Sequence, residues 1–298
     1  VRVLVIRLGA LGDFFLSFSP FAAIRAHHPT AAITLLTTAP YAPLGRAAPW
    51  FDEVVIDDKP AAWDLPGLLR LRAALRGFDI VYDLQTSSRS SRYFRLAGRP
   101  AWSGIASGCA LPDDDPARDR LHTRDRQAGQ LRRAGITRFP EPDLSWLRTG
   151  PPPVDGRYAM LVPGAAPHRP AKRWPAERFG QIAAELDAAG IRPVAVGALD
   201  DAPLAAEIAA RCSATLDLTG QTDLLGLARV AAGATLAIGN DTGPMHVAAT
   251  LGCRAIVLFS GESDPTLTAP RGEARIDVLR ADRLEEIATD LVKRLLAT

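Results

Sequence analysis

The sequence is short of cysteine, of long apolar runs and of any excess charge, and each shortage removes a class of protein. Its three cysteines, Cys109, Cys212 and Cys253, are far apart and odd in number. They fit neither a disulfide framework nor a zinc site and point to a reducing compartment. No apolar run reaches the roughly 18 residues that a membrane span needs. Arg7 interrupts the first apolar segment almost at once, so no signal peptide is expected. The expectation is a cytoplasmic protein with, at most, peripheral membrane contact. A net charge of +2 gives no argument for a nucleic-acid partner. The halves differ: residues 1–150 carry 20 Lys+Arg against 15 Asp+Glu, and residues 151–298 carry 15 against 18. A mildly basic N-terminal half suits an anionic partner such as a phosphorylated lipid surface. There is no short-period repeat and no low-complexity tract.

With 298 residues, 47% of them hydrophobic and 23% charged, the chain has the composition of an ordinary globular protein and the length for two domains. Its most informative stretch runs from Ala237 to Pro265. An apolar run, Ala234 to Ile238, reads as a buried parallel strand and breaks at Gly239-Asn240-Asp241-Thr242-Gly243. Pro244 follows where a helix should begin, and a missing N–H costs nothing there. A short helix over His246–Leu251, a glycine cap at Gly252 and a second strand over Ala255–Phe259 complete the unit. Such a unit presents free backbone N–H groups and the positive end of a helix at residues 241 to 246. These are Asp241, Thr242, Gly243, Pro244, Met245 and His246, and together they could hold a phosphate or diphosphate. The plainer reading is a capped helix start, since Asp and Thr are ordinary N-cap residues.

At the N-terminus the strand Val3–Ile6 is followed by Arg7-Leu8-Gly9-Ala10-Leu11-Gly12-Asp13 and an apolar helix from about Phe14 to Ala26. Strand, glycine loop and helix open a Rossmann-like half. With Gly9 and Gly12 only, the loop is not a dinucleotide fingerprint. Further apolar runs at Ile33–Leu36, Val54–Ile56 and Ile80–Tyr82 alternate with helical stretches, which argues for a parallel α/β sheet. Asp13 stands where open α/β folds place ligands. It is either a general base or an acidic residue favoured by a helix start. From Ser87 to Arg138 the chain is arginine-rich; Arg89, Arg92, Arg95 and Arg99 are spaced to share one helix face. That pattern fits a solvated face or a surface for a phosphorylated acceptor. Asp113-Asp114-Asp115 lies in a polar loop between prolines with no preceding strand, so it reads as a solvent-exposed turn and not as a metal site.

The proline-rich segment from Pro140 to Arg157, with Gly150-Pro151-Pro152-Pro153, reads as a stiff linker, and the domains as 1–150 and 151–298. After it come a strand at Ala159–Val162 and a loop from Pro163 to Pro175 dense in cations, including Lys172. The loop leads into a helix over Ala176–Ala189. If it faces the 241–246 turn, Lys172 can hold the same diphosphate. Strands at Pro193–Val196 and Thr215–Leu218, helices at Ala202–Arg211 and Leu224–Ala232, and a last helix at Leu284–Leu296 are also expected.

Three segments in this order resemble glycosyltransferase family 9, the ADP-heptose:lipopolysaccharide heptosyltransferase family. They are Arg7–Pro29, the Pro163–Pro175 loop with Lys172 and Trp174, and Asn240–Gly252 followed by Ser263-Asp264-Pro265. The resemblance implies a GT-B fold, α/β, with two Rossmann-like domains whose parallel sheets face across a cleft. The acceptor would lie on the N-terminal domain and the nucleotide-sugar on the C-terminal one, with the last helix able to cross back to the first domain. It implies Asp13 as catalytic base beside Gly12, Lys172 as diphosphate-binding lysine and Asp241-Thr242-Gly243 as the diphosphate and sugar turn, with Pro244, Met245 and His246 next to the donor. It implies inverting transfer of a heptose from ADP-heptose, with no metal or other cofactor, to a lipid-linked or phosphorylated glycan acceptor at the cytoplasmic face of a bacterial inner membrane. This chain departs from the family pattern after the strand matching Pro193–Val196: the acidic residue that contacts the nucleoside in such proteins would need a one- or two-position shift within Gly197-Ala198-Leu199-Asp200-Asp201. A nucleotide-sugar-binding protein without transfer activity, part of a surface-glycan complex, is the competing reading. The presence of both Asp13 and Lys172 favours the enzyme.

Overall fold

The computed structural model describes residues 1–151 and 153–296, so Pro152 of the expected linker lies outside the described residues. The chain divides into two compact units, Val1–Asp143 and Leu144–Thr298. The division falls after Asp143 because the segment expected as a stiff linker already folds with unit 2. There Leu147 is buried and Arg148 Nη2 donates to the Leu251 carbonyl at 2.6 Å.

Unit 1 contains strands β1 (Arg2–Ile6), β2 (Ala32–Thr37), β3 (Glu53–Ile56), β4 (Ile80–Asp83), β5 (Ala101–Gly104) and β6 (Leu111–Pro112), paired in parallel in the order β3-β2-β1-β4-β5-β6. Parallel neighbours need crossovers, which here carry helices α1 (Leu11–Leu16), α2 (Phe18–His27), α3 (Ala42–Ala47), α4 (Leu65–Ala74) and α5 (Ser88–Leu96), while α6 (Thr123–Arg133) follows the last strand. Helices cover both faces of the sheet, so Val3, Leu4, Val5 and Ile6 are all buried and β1 reads as an unbroken apolar run. The helix expected at Phe14–Ala26 starts earlier and is two helices. The Ser17 hydroxyl donates to the Asp13 carbonyl at 2.8 Å, four residues back, and Ser17 both closes α1 and precedes α2. Phe14, Phe18 and Phe21 form an aromatic layer with Trp50; the Phe14–Phe21 and Phe18–Trp50 centroids are 5.6 and 5.0 Å apart.

Unit 2 repeats the plan with β7 (Tyr158–Val162), β8 (Arg192–Ala195), β9 (Leu216–Asp217), β10 (Leu236–Asn240), β11 (Ala255–Phe259) and β12 (Ile276–Arg280), in the order β12-β11-β10-β7-β8-β9. Its helices are α7 (Ala176–Ala188), α8 (Ala202–Arg211), α9 (Leu224–Gly233), α10 (Gly243–Thr250), α11 (Pro265–Thr268) and α12 (Thr289–Leu296). The last helix is shorter than expected: a single 3-10 turn at Leu284–Glu286 precedes it, and Val292 is buried in the same cluster as Ile182 and Leu186 of α7.

The direction of strand order reverses between β1 and β4 in unit 1 and between β7 and β10 in unit 2. Ligands of open α/β sheets bind outside the carboxyl ends of the strands at such reversals. The loop ending at Asp13 follows β1. The loops carrying Lys172 and Asp241 follow β7 and β10.

Candidate active site

In unit 1 the chain leaves β1 through Arg7, whose side chain is 4% exposed and reaches back under the loop. Its Nη1 donates to the Leu84 carbonyl at 2.6 Å, and its Nη2 lies 3.2 Å from Oδ2 of Asp13, in the first turn of α1. Asp13 is 41% exposed, so one end of this ion pair is buried and the other open. Burial lowers the pKa of Arg7 and the Asp13 charge opposes the fall, so the carboxylate is the counter-charge that a buried guanidinium needs. Gly12, one residue earlier on α1, is buried. Gly9 has φ +122°, and a Cβ there would stand 2.5 Å from the ring of Tyr41, so the close approach of loop and ring requires glycine. The Leu8 amide donates to Gln85 Oε1 at 2.9 Å, and the Thr38 hydroxyl donates to the Leu8 carbonyl at the same distance.

Beside this loop lies a cavity of about 510 Å³ whose walls include Gly9, Tyr41, Lys59, Gln85, Ser87 and Arg89. The buried Asp57 organises its cations. It accepts from the Lys59 amide at 2.8 Å and from the Tyr93 hydroxyl at 2.6 Å, and Tyr93 in turn is bonded to Arg89. The arginine-rich segment is therefore of two kinds. Arg118 pairs with Asp113 at 2.5 Å, and Arg133 reaches Asp114 and Asp115, whereas Arg89 lines the cavity and Arg126 lies in the field of Asp13 and Arg7. The aspartate triplet is not the solvent-exposed turn expected of it. Asp113 is buried beneath Arg118 and only Asp114 is broadly exposed, because a carboxylate ion-paired to a covered arginine need not face water.

Asp83, at the end of β4, is fully buried, and desolvation pushes its pKa up to about 6 although the Gln85 and Thr86 amides donate to Oδ1. A raised carboxylate favours the folded state most at low pH, below its unfolded value, and that contribution disappears as pH rises through about 6. A shift from 3.8 to about 6 corresponds to roughly 3 kcal/mol. Asp83→Asn should therefore remove most of the fall in stability between pH 4 and pH 7, read from urea midpoints. An unchanged pH profile in the variant would contradict this.

In unit 2 Asn240, the last residue of β10, ties the two loops together. Its Nδ2 donates to the Pro163 carbonyl at 2.8 Å, and its Oδ1 accepts from the Trp174 amide at 3.0 Å. Trp174 is buried and donates through Nε1 to the Ile287 carbonyl at 3.0 Å. This staple brings Lys172 Nζ within 2.5 Å of Asp241 Oδ2, with side-chain exposures of 11% and 6%. The same oxygen accepts from the Ser263 hydroxyl at 2.6 Å. Lys172 and Asp241 thus meet as expected from their loops, but as partners of each other. The Thr242 hydroxyl donates to the Asn240 carbonyl at 3.3 Å and does not cap the helix; α10 begins at Gly243 with Pro244 next, both half-buried. Met245 packs its side chain into the core, and its amide donates to the Thr242 carbonyl at 3.1 Å, so only its backbone belongs to the turn. His246, one residue on, is buried as well.

Of the two acids after β8, Asp201 is the inward one. Its Oδ2 accepts from the Ala198 amide at 3.0 Å and burial raises its pKa. A Cβ on Gly164 would fall 2.3 Å from that carboxylate, so glycine is what lets the loop after β7 approach it. Sequence reasoning did not assign Asn240, Ser263 or Arg7. Asn240 and Ser263 stood inside quoted motifs, and Arg7 carried the one available signal, a charge at the end of a buried strand. Among the described residues no group of three or more His, Cys, Asp or Glu is disposed to hold a metal ion, and no helix is long and apolar enough to cross a membrane.

Comparison with known proteins gives a consistent set of relatives. Residues 117–291 match Glycosyltransferase family 9 (heptosyltransferase). Lipopolysaccharide heptosyltransferase 2 of Escherichia coli (strain K12) is 27% identical over 307 residues, covering 91% of this chain and 85% of that protein. Among solved structures, E. coli ADP-heptose lps heptosyltransferase II superposes with a TM-score of 0.80 at 23% identity, over all of this chain and 98% of the other. E. coli heptosyltransferase WaaC with ADP-2-deoxy-2-fluoro heptose does so with a TM-score of 0.81 at 22% identity, over all of this chain and 99% of the other. These likenesses show the fold, GT-B.

Proposed function

Because the chain belongs to glycosyltransferase family 9, the heptosyltransferases, and is a glycosyltransferase, we propose that it transfers a heptose from ADP-heptose to a lipopolysaccharide-core or related surface-glycan acceptor, with inversion and without a metal ion. The donor follows from what the named relatives use: one solved neighbour carries an ADP-heptose analogue. The observation that carries the reading is the Lys172–Asp241–Ser263 cluster at the strand reversal of unit 2, beside the start of α10.

Unit 2 is then the donor side and unit 1 the acceptor side. The Asp13 carboxylate takes the proton from an acceptor hydroxyl, whose oxygen attacks the anomeric carbon of the donor sugar. The bond from that carbon to the diphosphate oxygen breaks and ADP leaves with the electron pair. The charge that develops on the diphosphate is met by Lys172 and by the N-terminus of α10 at Thr242–Met245. Arg7 holds Asp13 at the mouth of its loop, and the buried Gly12 precedes it in the first turn of α1. Asp241 orients Lys172 and offers its other oxygen, Oδ1, to a sugar hydroxyl, with Gly243, Pro244 and His246 forming the rest of the turn. Asp201 is the acidic residue for the nucleoside. The acceptor is lipid-linked or phosphorylated, and the enzyme works at the cytoplasmic face of the inner membrane in peripheral contact with it.

Calorimetry with ADP, UDP, GDP and ADP-heptose in EDTA tests the donor. Selective binding of the adenine nucleotides, undiminished by EDTA, is expected. Equal binding of all three diphosphates, or binding abolished by EDTA, would contradict the donor or the metal-independent reading respectively.

A further inference from the structure

The helix α4 is apolar on both sides. Leu71 and Leu75 face the core of unit 1, yet Leu65 and Leu69, four residues apart on the opposite side, are 67% and 63% exposed. Trp63, just before the helix, is 86% exposed. Arg72 and Arg76 continue this outward stripe at i+7 and i+11 from Leu65, Arg70 lies beside it, all three are exposed, and no acidic residue occurs from Leu65 to Arg76. Asp64 is committed as N-cap, its Oδ1 accepting from the Gly67 amide at 2.9 Å. An exposed tryptophan, two exposed leucines on one helical stripe and a rim of arginines are the components of a helix that lies in a membrane interface.

A second copy of this chain is a poor occupant. A two-fold contact would set the same face against itself, and three arginines against three. An anionic lipid surface complements both the apolar stripe and its rim. The neighbouring geometry agrees. Pro60 packs against the first turn of α4, since its Cβ lies 2.8 Å from where a Gly67 Cβ would stand, and Lys59 beside it lines the cavity next to the Asp13 loop. We propose that the Trp63–Leu65–Leu69 face of α4, with its flanking arginines, docks unit 1 on an anionic bilayer. Docked this way, the protein holds the cationic cavity close to the lipid headgroup plane, where a lipid-linked anionic acceptor presents its sugars. That purpose rests on the proposed acceptor; the docking does not depend on turnover.

The test is co-sedimentation of the full chain with vesicles of phosphatidylethanolamine containing phosphatidylglycerol, against vesicles of phosphatidylcholine. Wild type is expected to bind the anionic vesicles and to release with added salt. Trp63→Ser with Leu65→Ser and Leu69→Ser should weaken binding by at least about tenfold. Arg70→Gln with Arg72→Gln and Arg76→Gln should abolish the preference for anionic lipid. Quenching of wild-type fluorescence by brominated lipid, reduced in Trp63→Phe, reads the same contact in a chain whose helix is untouched. Asp13→Asn should bind vesicles like wild type, which separates docking from catalysis. No binding by wild type, equal binding by the triple serine variant, or a concentration-dependent dimer lost in that variant would each overturn the proposal. Docking in a protein that binds no ADP would leave it standing while removing the donor assignment.

Discussion

Asp13→Asn is expected to lower kcat by about 10²–10⁴-fold, the range for loss of a positioned general base, with the dissociation constant for ADP unchanged. Asparagine keeps the size of the side chain and an oxygen able to accept from Arg7, so the loop has no steric reason to move. What disappears is the negative charge that can take a proton. The stability cost is about 1 kcal/mol, because the carboxylate is 41% exposed and its pairing is screened by water. Arg7 remains anchored on the Leu84 carbonyl and in the field of Asp83. Turnover of ADP-heptose by both proteins and ADP calorimetry on both give the comparison. Retained turnover removes Asp13 as base. Parallel loss of turnover and ADP binding shows that the loop supports the fold and not the chemistry.

Most central strands of both sheets were legible because parallel strands covered on both faces become continuous apolar runs, as at Val3–Ile6 and Ala255–Phe259, whereas Ala101–Gly104 and the partly exposed edge strand Ile276–Arg280 were not expected. The two-residue edge strand at Leu111–Pro112 carries no period and was not expected; that at Leu216–Asp217 was expected as four residues. Asp13, Lys172 and Asp241 could be singled out because each lies in the segment that follows a strand at an order reversal, and in unit 2 that reversal brings Lys172 and Asp241 together. The pairing of these residues with their partners was not legible. Arg7 meets Asp13 across a strand-to-helix corner six residues long, and Ser263 meets Asp241 from the far side of β11. Neither spacing has a periodic signature. The outward face of α4 was hidden for a different reason. Leu65, Leu69, Leu71 and Leu75 are the same residue type in the sequence, and only burial separates the two pairs.

Lys172→Ala is expected to have the second large effect, and on two properties at once. The ammonium and the Asp241 carboxylate are 2.5 Å apart with side chains 11% and 6% exposed. Deleting one partner of such a pair leaves a covered charge with only the Ser263 hydroxyl, at a cost of about 3–5 kcal/mol. In a unit of this size that lowers the melting temperature by roughly 10 °C. ADP affinity should fall by at least about tenfold through loss of a charge-assisted contact. Because instability alone can weaken binding, the informative protein is Lys172→Met with Asp241→Asn. A neutral amide can still accept from Ser263 and no longer needs a cation, so most of the stability should return while ADP affinity stays low. Thermal melts and ADP calorimetry on wild type, single and double variants separate the outcomes. Affinity that recovers with stability makes Lys172 a brace for Asp241, and the phosphate charge is then met by the start of α10 alone. Affinity that stays low in a restored fold makes the ammonium itself the diphosphate ligand. In that case Asp241 holds the lysine in place before donor arrives, and the ammonium shares its hydrogen bonds between Asp241 and the phosphates when donor binds.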